Sequence, residues 1–149
     1  MNISFIKRLL FLMLLYPVIV SGVNVTFQVD MTNESVNPDC PPTISGSFFS
    51  NWSWFQPLVQ VDETVWATTL NLNSDEYYEY KFGNCEWNLE SLPEGNPCTN
   101  TSYGYTNRFI TVPGENTTME PVMYGTCENS EGGGYDEGWV LVWSDEFNG

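Results

Sequence analysis

Apolar and polar positions alternate with a period of two over long stretches of the chain, and helical periodicity is nearly absent. Val23, Val25, Phe27 and Val29 alternate with Asn24, Thr26, Gln28 and Asp30, which predicts a half-buried strand. Residues 43–49 form a second candidate strand, and 56–61 a weaker one broken by Pro57. Trp66, Thr68, Leu70 and Leu72 share one face of a strand over 65–72. Tyr78, Tyr80 and Phe82 form the inward face of a strand over 76–82, and Tyr77, Glu79 and Lys81 point outward. Residues 109–112 and 119–124 complete the set. Turn residues separate these runs at 37–39, 62–63, 73–75 and 113–114. Short strands at this spacing predict an all-β fold, an antiparallel β-sandwich over residues 23–127.

The two ends read differently. Residues 1–22 combine Lys7 and Arg8 with an apolar run from Leu9 to Val20 and small residues Ser21 and Gly22. That run covers about 18 Å as a helix, short of a bilayer core of about 30 Å. It predicts a secretory signal peptide, hence a secreted, extracellular protein with no membrane association after cleavage. Residues 128–138, ENSEGGGYDEG, predict a flexible acidic linker. In WVLVWSDEFNG, Trp139, Leu141 and Trp143 alternate with Val140 and Val142, which predicts one further strand that opens a second, truncated domain; the alternative is that it pairs back onto the sandwich across the Gly-rich linker.

Charge narrows the function. The chain has 19 Asp and Glu against 4 Lys and Arg, and losing Lys7 and Arg8 takes the formal charge from −15 to −17. Such a surface repels nucleic acid and anionic lipid, so the expected partner is neutral or cationic. With no His, neither a Ser-His-Asp machine nor a His-ligated zinc is available. The adjacent acid pairs Asp62/Glu63, Asp75/Glu76 and Asp145/Glu146 point to opposite faces of any strand and do not converge on one bond. No cofactor is expected; an acidic turn cluster such as Asp62, Glu63 and Asp75 offers oxygen ligands of the kind calcium takes, but isolated carboxylates on turns are usually just hydrated. Cys40, Cys85, Cys98 and Cys127 predict two disulfides, in one of three connectivities. Loop-closure reasoning favours Cys85–Cys98 and Cys40–Cys127. Asn24, Asn33, Asn51, Asn100 and Asn116 each head an Asn-x-Ser/Thr sequon.

The aromatics carry the binding expectation. Trp52 and Trp54 lie in the turn-like polar stretch SNWSWFQ, and Trp87 lies between Cys85 and Cys98 beside Asn84, Asn88 and Glu90. An indole face stacks on the apolar face of a pyranose, while amides and carboxylates take its hydroxyls. Lys81 is placed to donate to sugar oxygens beside Trp87.

These residues also carry a resemblance. VTFQVDM (25–31), ISGSFFSNWSWFQPL (44–58), VWATTLNL (65–72), YEYKFGNCEWNLESLP (78–93), NRFITVP (107–113) and MYGTC (123–127) resemble a secreted β-sandwich module with an immunoglobulin-like, starch-binding-like fold, found beside polysaccharide-degrading enzymes. The strand with Tyr80, Lys81 and Phe82, followed by Asn84 and Trp87, is similar to the glycogen- and starch-binding families. That likeness implies glucan contacts by Lys81 and Trp87, with Trp54 or Trp52 as the earlier loop aromatic. This chain departs from the pattern in carrying Cys85 and Cys98 on either side of Trp87. WVLVWSDEFNG resembles the opening strand of family 16 glycoside hydrolases, the β-jelly-roll laminarinases and other β-glucanases. Their catalytic Glu-x-Asp-x-x-Glu strand does not occur here, which implies a module fused to the start of a truncated hydrolase. The expected protein is a monomeric, non-catalytic binder of a neutral polysaccharide, a β-glucan or an α-glucan. The alternative is a structural spacer or adhesion sandwich that binds no glycan.

Overall fold

The computed structural model describes residues 22–129. All of the expected signal peptide but Gly22, which begins the first strand, most of the expected linker and the terminal strand lie outside the described residues. Among the described residues the fold is all-β, with no helix and ten strands in two mostly antiparallel sheets. The strands are β1 Gly22–Asp30, β2 Thr43–Gly46, β3 Gln56–Pro57, β4 Val59–Gln60, β5 Val65–Asn73, β6 Tyr77–Gly83, β7 Thr99–Ser102, β8 Tyr105–Thr111, β9 Thr117–Thr118 and β10 Val122–Met123.

The first sheet runs β10-β1-β5-β4, with β9 also on β1; β9 and β10 both pair parallel to β1. β1 and β5 pair along their whole length, from Gly22 opposite Asn73 to Asp30 opposite Val65. The second sheet runs β3-β2-β6-β8-β7. The alternation read along β1 holds: Val23, Val25, Phe27 and Val29 are buried. They meet Ile44, Tyr80, Phe82 and Ile110 of the second sheet in one core, with Phe48, Phe49, Trp66 and Tyr78 packed on its margin. Phe27 and Tyr80 meet edge to face across the two layers, with ring centroids 5.0 Å apart.

Several expectations change. The strand expected over 43–49 stops at Gly46, because the backbone turns: Phe49 N and Trp52 N both donate to the Gly46 carbonyl, at 3.1 and 3.2 Å. The run 56–61 is two strands, not one. β3 pairs with β2 in the second sheet and β4 with β5 in the first. Leu58 is the crossing point, buried in the core, with its amide on the Pro42 carbonyl at 2.9 Å. β7, with the polar sequence TNTS, has no apolar signal. It is a strand because β8 pairs with it through a two-residue turn at Tyr103 and Gly104, both at positive φ.

The disulfides pair Cys40 with Cys85 and Cys98 with Cys127, in place of the favoured Cys85–Cys98 and Cys40–Cys127. Strand register decides this. Thr43 lies opposite Gly83, so the segments just outside that pair bring Cys40 and Cys85 to a Cα separation of 5.2 Å. Each bridge closes a loop longer than the local one expected. Glu128 and Asn129, expected to begin the linker, still return to β10: Met123 N donates to the Glu128 carbonyl at 2.9 Å, and Asn129 bridges Val122.

Candidate functional site

The site lies on the outer face of the second sheet, at its β3–β2 side. The turn after β2 runs through Ser50, Asn51 and Trp52, three consecutive non-glycine residues at φ values of 40°, 64° and 68°. Left-handed backbone costs an L-residue roughly 1–2 kcal/mol, so such a run persists only where its surroundings impose it. Phe48 and Phe49, packed on the core, and the Gly46 carbonyl fix the turn from below. Ser53 closes it, with its amide and its hydroxyl both on the Phe49 carbonyl at 2.9 Å. The chain emerges with Trp54 exposed to 58% of its surface and its carbonyl held by the Ser45 hydroxyl at 2.8 Å.

A second loop, 84–88, folds back over the same face. Gly83 permits it: a Cβ there would stand 2.6 Å from the Glu86 carbonyl oxygen and 2.7 Å from the Thr43 hydroxyl. The loop is closed by Asn88 N on the Cys85 carbonyl and Asn84 N on the Asn88 carbonyl, both at 2.9 Å. Cys40–Cys85 tethers one side. On the other, the Tyr124 hydroxyl donates to the Asn88 carbonyl at 2.8 Å. Burial pushes the Tyr124 phenol up to about 12, and the charges of Glu90 and Glu34 add to the rise while an amide of Asn84 opposes it. At the tip of this loop Trp87 is 75% exposed, and its ring meets Phe55 edge-on at 4.5 Å between centroids.

Lys81 lies opposite Ser45 on the same outer face. Its ammonium donates to the Glu90 carbonyl at 3.2 Å. Burial lowers its pKa, with the Glu90 charge opposing the shift. Lys81 therefore has a fixed position rather than a free arm, which reduces the entropy lost when its remaining protons meet a ligand.

Trp54, Lys81 and Trp87 thus lie on the same side of the second sheet, and the other three expected binding residues are placed differently. Trp52 is half-buried in the strained turn. Asn88 donates its side-chain amide to the Asn84 carbonyl at 3.1 Å and serves to hold the loop. Glu90 belongs to the interior. It is 2% exposed and bridges Arg108, which is wholly buried, through two contacts of 2.8 Å. Its two oxygens also accept from Phe82 N and Gly125 N, each at 2.9 Å, so no sugar hydroxyl reaches it. Its charge reads as surface in the sequence; Arg108, eighteen positions later, draws it inward.

Sequence reasoning missed Phe55, which supports the Trp87 ring, and the partners of Glu79. Glu79 accepts from the amide of Asn100 at 2.6 Å and from that of Asn107 at 2.8 Å. The period-two pattern of β6 already placed Glu79 beside Lys81. Its partners come from β7 and β8, whose pairing is not visible in sequence. The acids of the conceivable calcium cluster do not meet. Asp62 and Glu63 precede β5 and Asp75 follows it, which separates them by roughly 26 Å of strand. Among the described residues no group of three or more His, Cys, Asp or Glu is placed to hold a metal. Among the described residues no helix is long and apolar enough to cross a membrane.

Comparison with known protein families finds none that matches this chain. A search of curated proteins finds no match either.

Proposed function

We propose that this chain is a non-catalytic carbohydrate-binding module, an immunoglobulin-like, starch-binding-like sandwich that delivers a secreted polysaccharide hydrolase to a neutral glucan. The observation that carries the reading is Trp87, presented to solvent on a disulfide-tethered loop and supported edge-on by Phe55, with Lys81 held by the Glu90 carbonyl on the same sheet face. Large exposed aromatics on a rigid support suit a ligand with an apolar face and a hydroxylated rim. The acidic charge favours a neutral ligand over an anionic one. The family 16 hydrolase reading rests on residues 139–149 alone. Tethering to such an enzyme would raise the effective substrate concentration with no new contact at the active site. Two disulfides fit an oxidising, extracellular setting.

The test is affinity electrophoresis of the full chain through gels containing laminarin, starch, cellulose derivative or agarose. Retardation in at least one gel is expected, nearly independent of salt. Trp87→Ala removes it without changing the melting temperature, because that ring is mostly in water. A folded protein retarded by none of them leaves the spacer or adhesion reading in its place.

A further inference from the structure

The outer face of the second sheet carries a second aromatic platform that none of the expected residues included. Tyr77 on β6 and Phe109 on β8 stack with ring centroids 5.8 Å apart and planes 23° from parallel, and Tyr77 is 48% exposed. Glu79 lies directly opposite Phe109. Its carboxylate is fixed by one amide from β7 and one from β8, and Asn107 is itself buried to more than nine-tenths. Oε1 accepts from Asn100 and, at 3.4 Å, from the Tyr77 hydroxyl, while Oε2 accepts from Asn107 alone and keeps a lone pair for a further donor. Burial raises the Tyr77 pKa, and the neighbouring Glu79 charge and hydrogen bond raise it further, so its hydroxyl stays a neutral donor.

Register joins this platform to the first. Phe55 is one residue beyond the Ile44–Gln56 pair, which sets it level with Ser45, itself opposite Lys81. One residue beyond the Tyr80–Arg108 pair, Lys81 is level with Asn107, which is opposite Asn100. A strip of one-face residues, Phe55, Ser45, Lys81 and Asn107, therefore runs across β2 and β6 to β8, about 14 Å at about 4.8 Å per strand, with Ser45 and Asn107 buried in its floor. Phe55 with Trp87 stands at one end, and Phe109, two residues along β8 from Asn107, with Tyr77, four residues along β6 from Lys81, stands beside the other.

Resting on the carbohydrate-binding reading above, we infer that Tyr77, Phe109 and the Glu79–Asn100–Asn107 cluster form a second subsite for the same glycan. The bound ligand is an internal stretch of a polysaccharide, laid across the strands, and not a chain end or a single sugar. Two platforms set this far apart on one face require several linked rings to engage both, and each ring then gains stacking without a second translational cost.

Calorimetric titration of the full chain with a disaccharide and a heptasaccharide of both β-1,3-linked and α-1,4-linked glucose tests this. The heptasaccharide of one series is expected to bind at least tenfold more tightly than its disaccharide. Tyr77→Ala weakens the heptasaccharide by about 2- to 10-fold, the loss of one aromatic stack, and leaves the disaccharide unchanged. Tyr77→Phe keeps the ring and restores most of the loss, and Glu79→Gln gives a smaller loss with the fold intact. If Tyr77→Ala and Glu79→Gln both bind the heptasaccharide as the parent does while Trp87→Ala does not, the second subsite is wrong and the module reading stands. If the parent chain binds no sugar and is retarded by no polysaccharide, both readings fall.

Discussion

The buried pair of Arg108 and Glu90 holds the base of the site, and removing one partner should unfold the domain well below its native melting temperature. Arg108 contributes three kinds of bond: two to the Glu90 carboxylate, one to the Met123 carbonyl at 3.1 Å and one to the Thr126 carbonyl at 2.9 Å. Glu90 returns the favour to the amides of Phe82 and Gly125. Glu90→Leu leaves a guanidinium without its counter-charge in the interior and two amides without acceptors. Breaking one side of a buried pair costs about 3–5 kcal/mol. That is a large part of the 5–15 kcal/mol that a typical domain possesses. At about 4–8 °C per kcal/mol for a domain of this size, melting falls by roughly 20 °C. Arg108→Met should cost a similar amount. The double variant should cost less than the two single losses added together, because neither charge is then left alone. Urea unfolding at pH 7, followed by tryptophan fluorescence, measures all three. A loss below about 1 kcal/mol in either single variant would overturn the reasoning, as would simple additivity in the double variant. Both would mean that water reaches the pair.

Three further outcomes follow from the same framework. Gly83→Ala should cost about 1–3 kcal/mol by overpacking and weaken polysaccharide retention as Trp87→Ala does, since its Cβ meets the Glu86 backbone; unchanged melting and retention would show that the loop 84–88 does not lie against β6. Peptide mapping without reduction should recover Cys40 linked to Cys85 and Cys98 linked to Cys127, bridges worth about 4 and about 3.5 kcal/mol in the chain-entropy account; a Cys85–Cys98 peptide would refute the register given for β2 and β6. Tyr124 has its folded pKa raised to about 12, above the unfolded value, so its contribution is full below about pH 10 and lost as pH rises towards 12. Stability measured across that window should fall for the parent and fall less for Tyr124→Phe, and equal slopes would contradict the buried position of the phenol.

Much of the fold is legible in the chain because strand periodicity is local. β1, β5 and β6 each put their apolar residues on one side, and no partner is needed to see it. β7 is illegible for the converse reason: TNTS has no face to bury, and only the hydrogen bonds of β8 make it a strand. The split of 56–61 was marked by Pro57, which cannot donate to a ladder, but the choice of a different sheet for each half depends on where Leu58 finds the core. For the site, exposure of Trp54 and Trp87 follows from loops that sequence identifies as loops. The support of the Trp87 ring by Phe55 follows from β2–β3 pairing, which it does not.

The amino-acid sequence by itself determined the all-β class, the inward-facing aromatic and aliphatic rows, and the outward triplet of Tyr77, Glu79 and Lys81, since side chains on a strand alternate whatever the strand pairs with. Tertiary structure alone decided which cysteines join, that Glu90 lies inside with Arg108, and that Glu79 is gripped by Asn100 and Asn107. Each of these is a meeting of side chains far apart in the chain. Whether a charge is buried or exposed depends on the partner that the strand order brings to it, not on its own polarity.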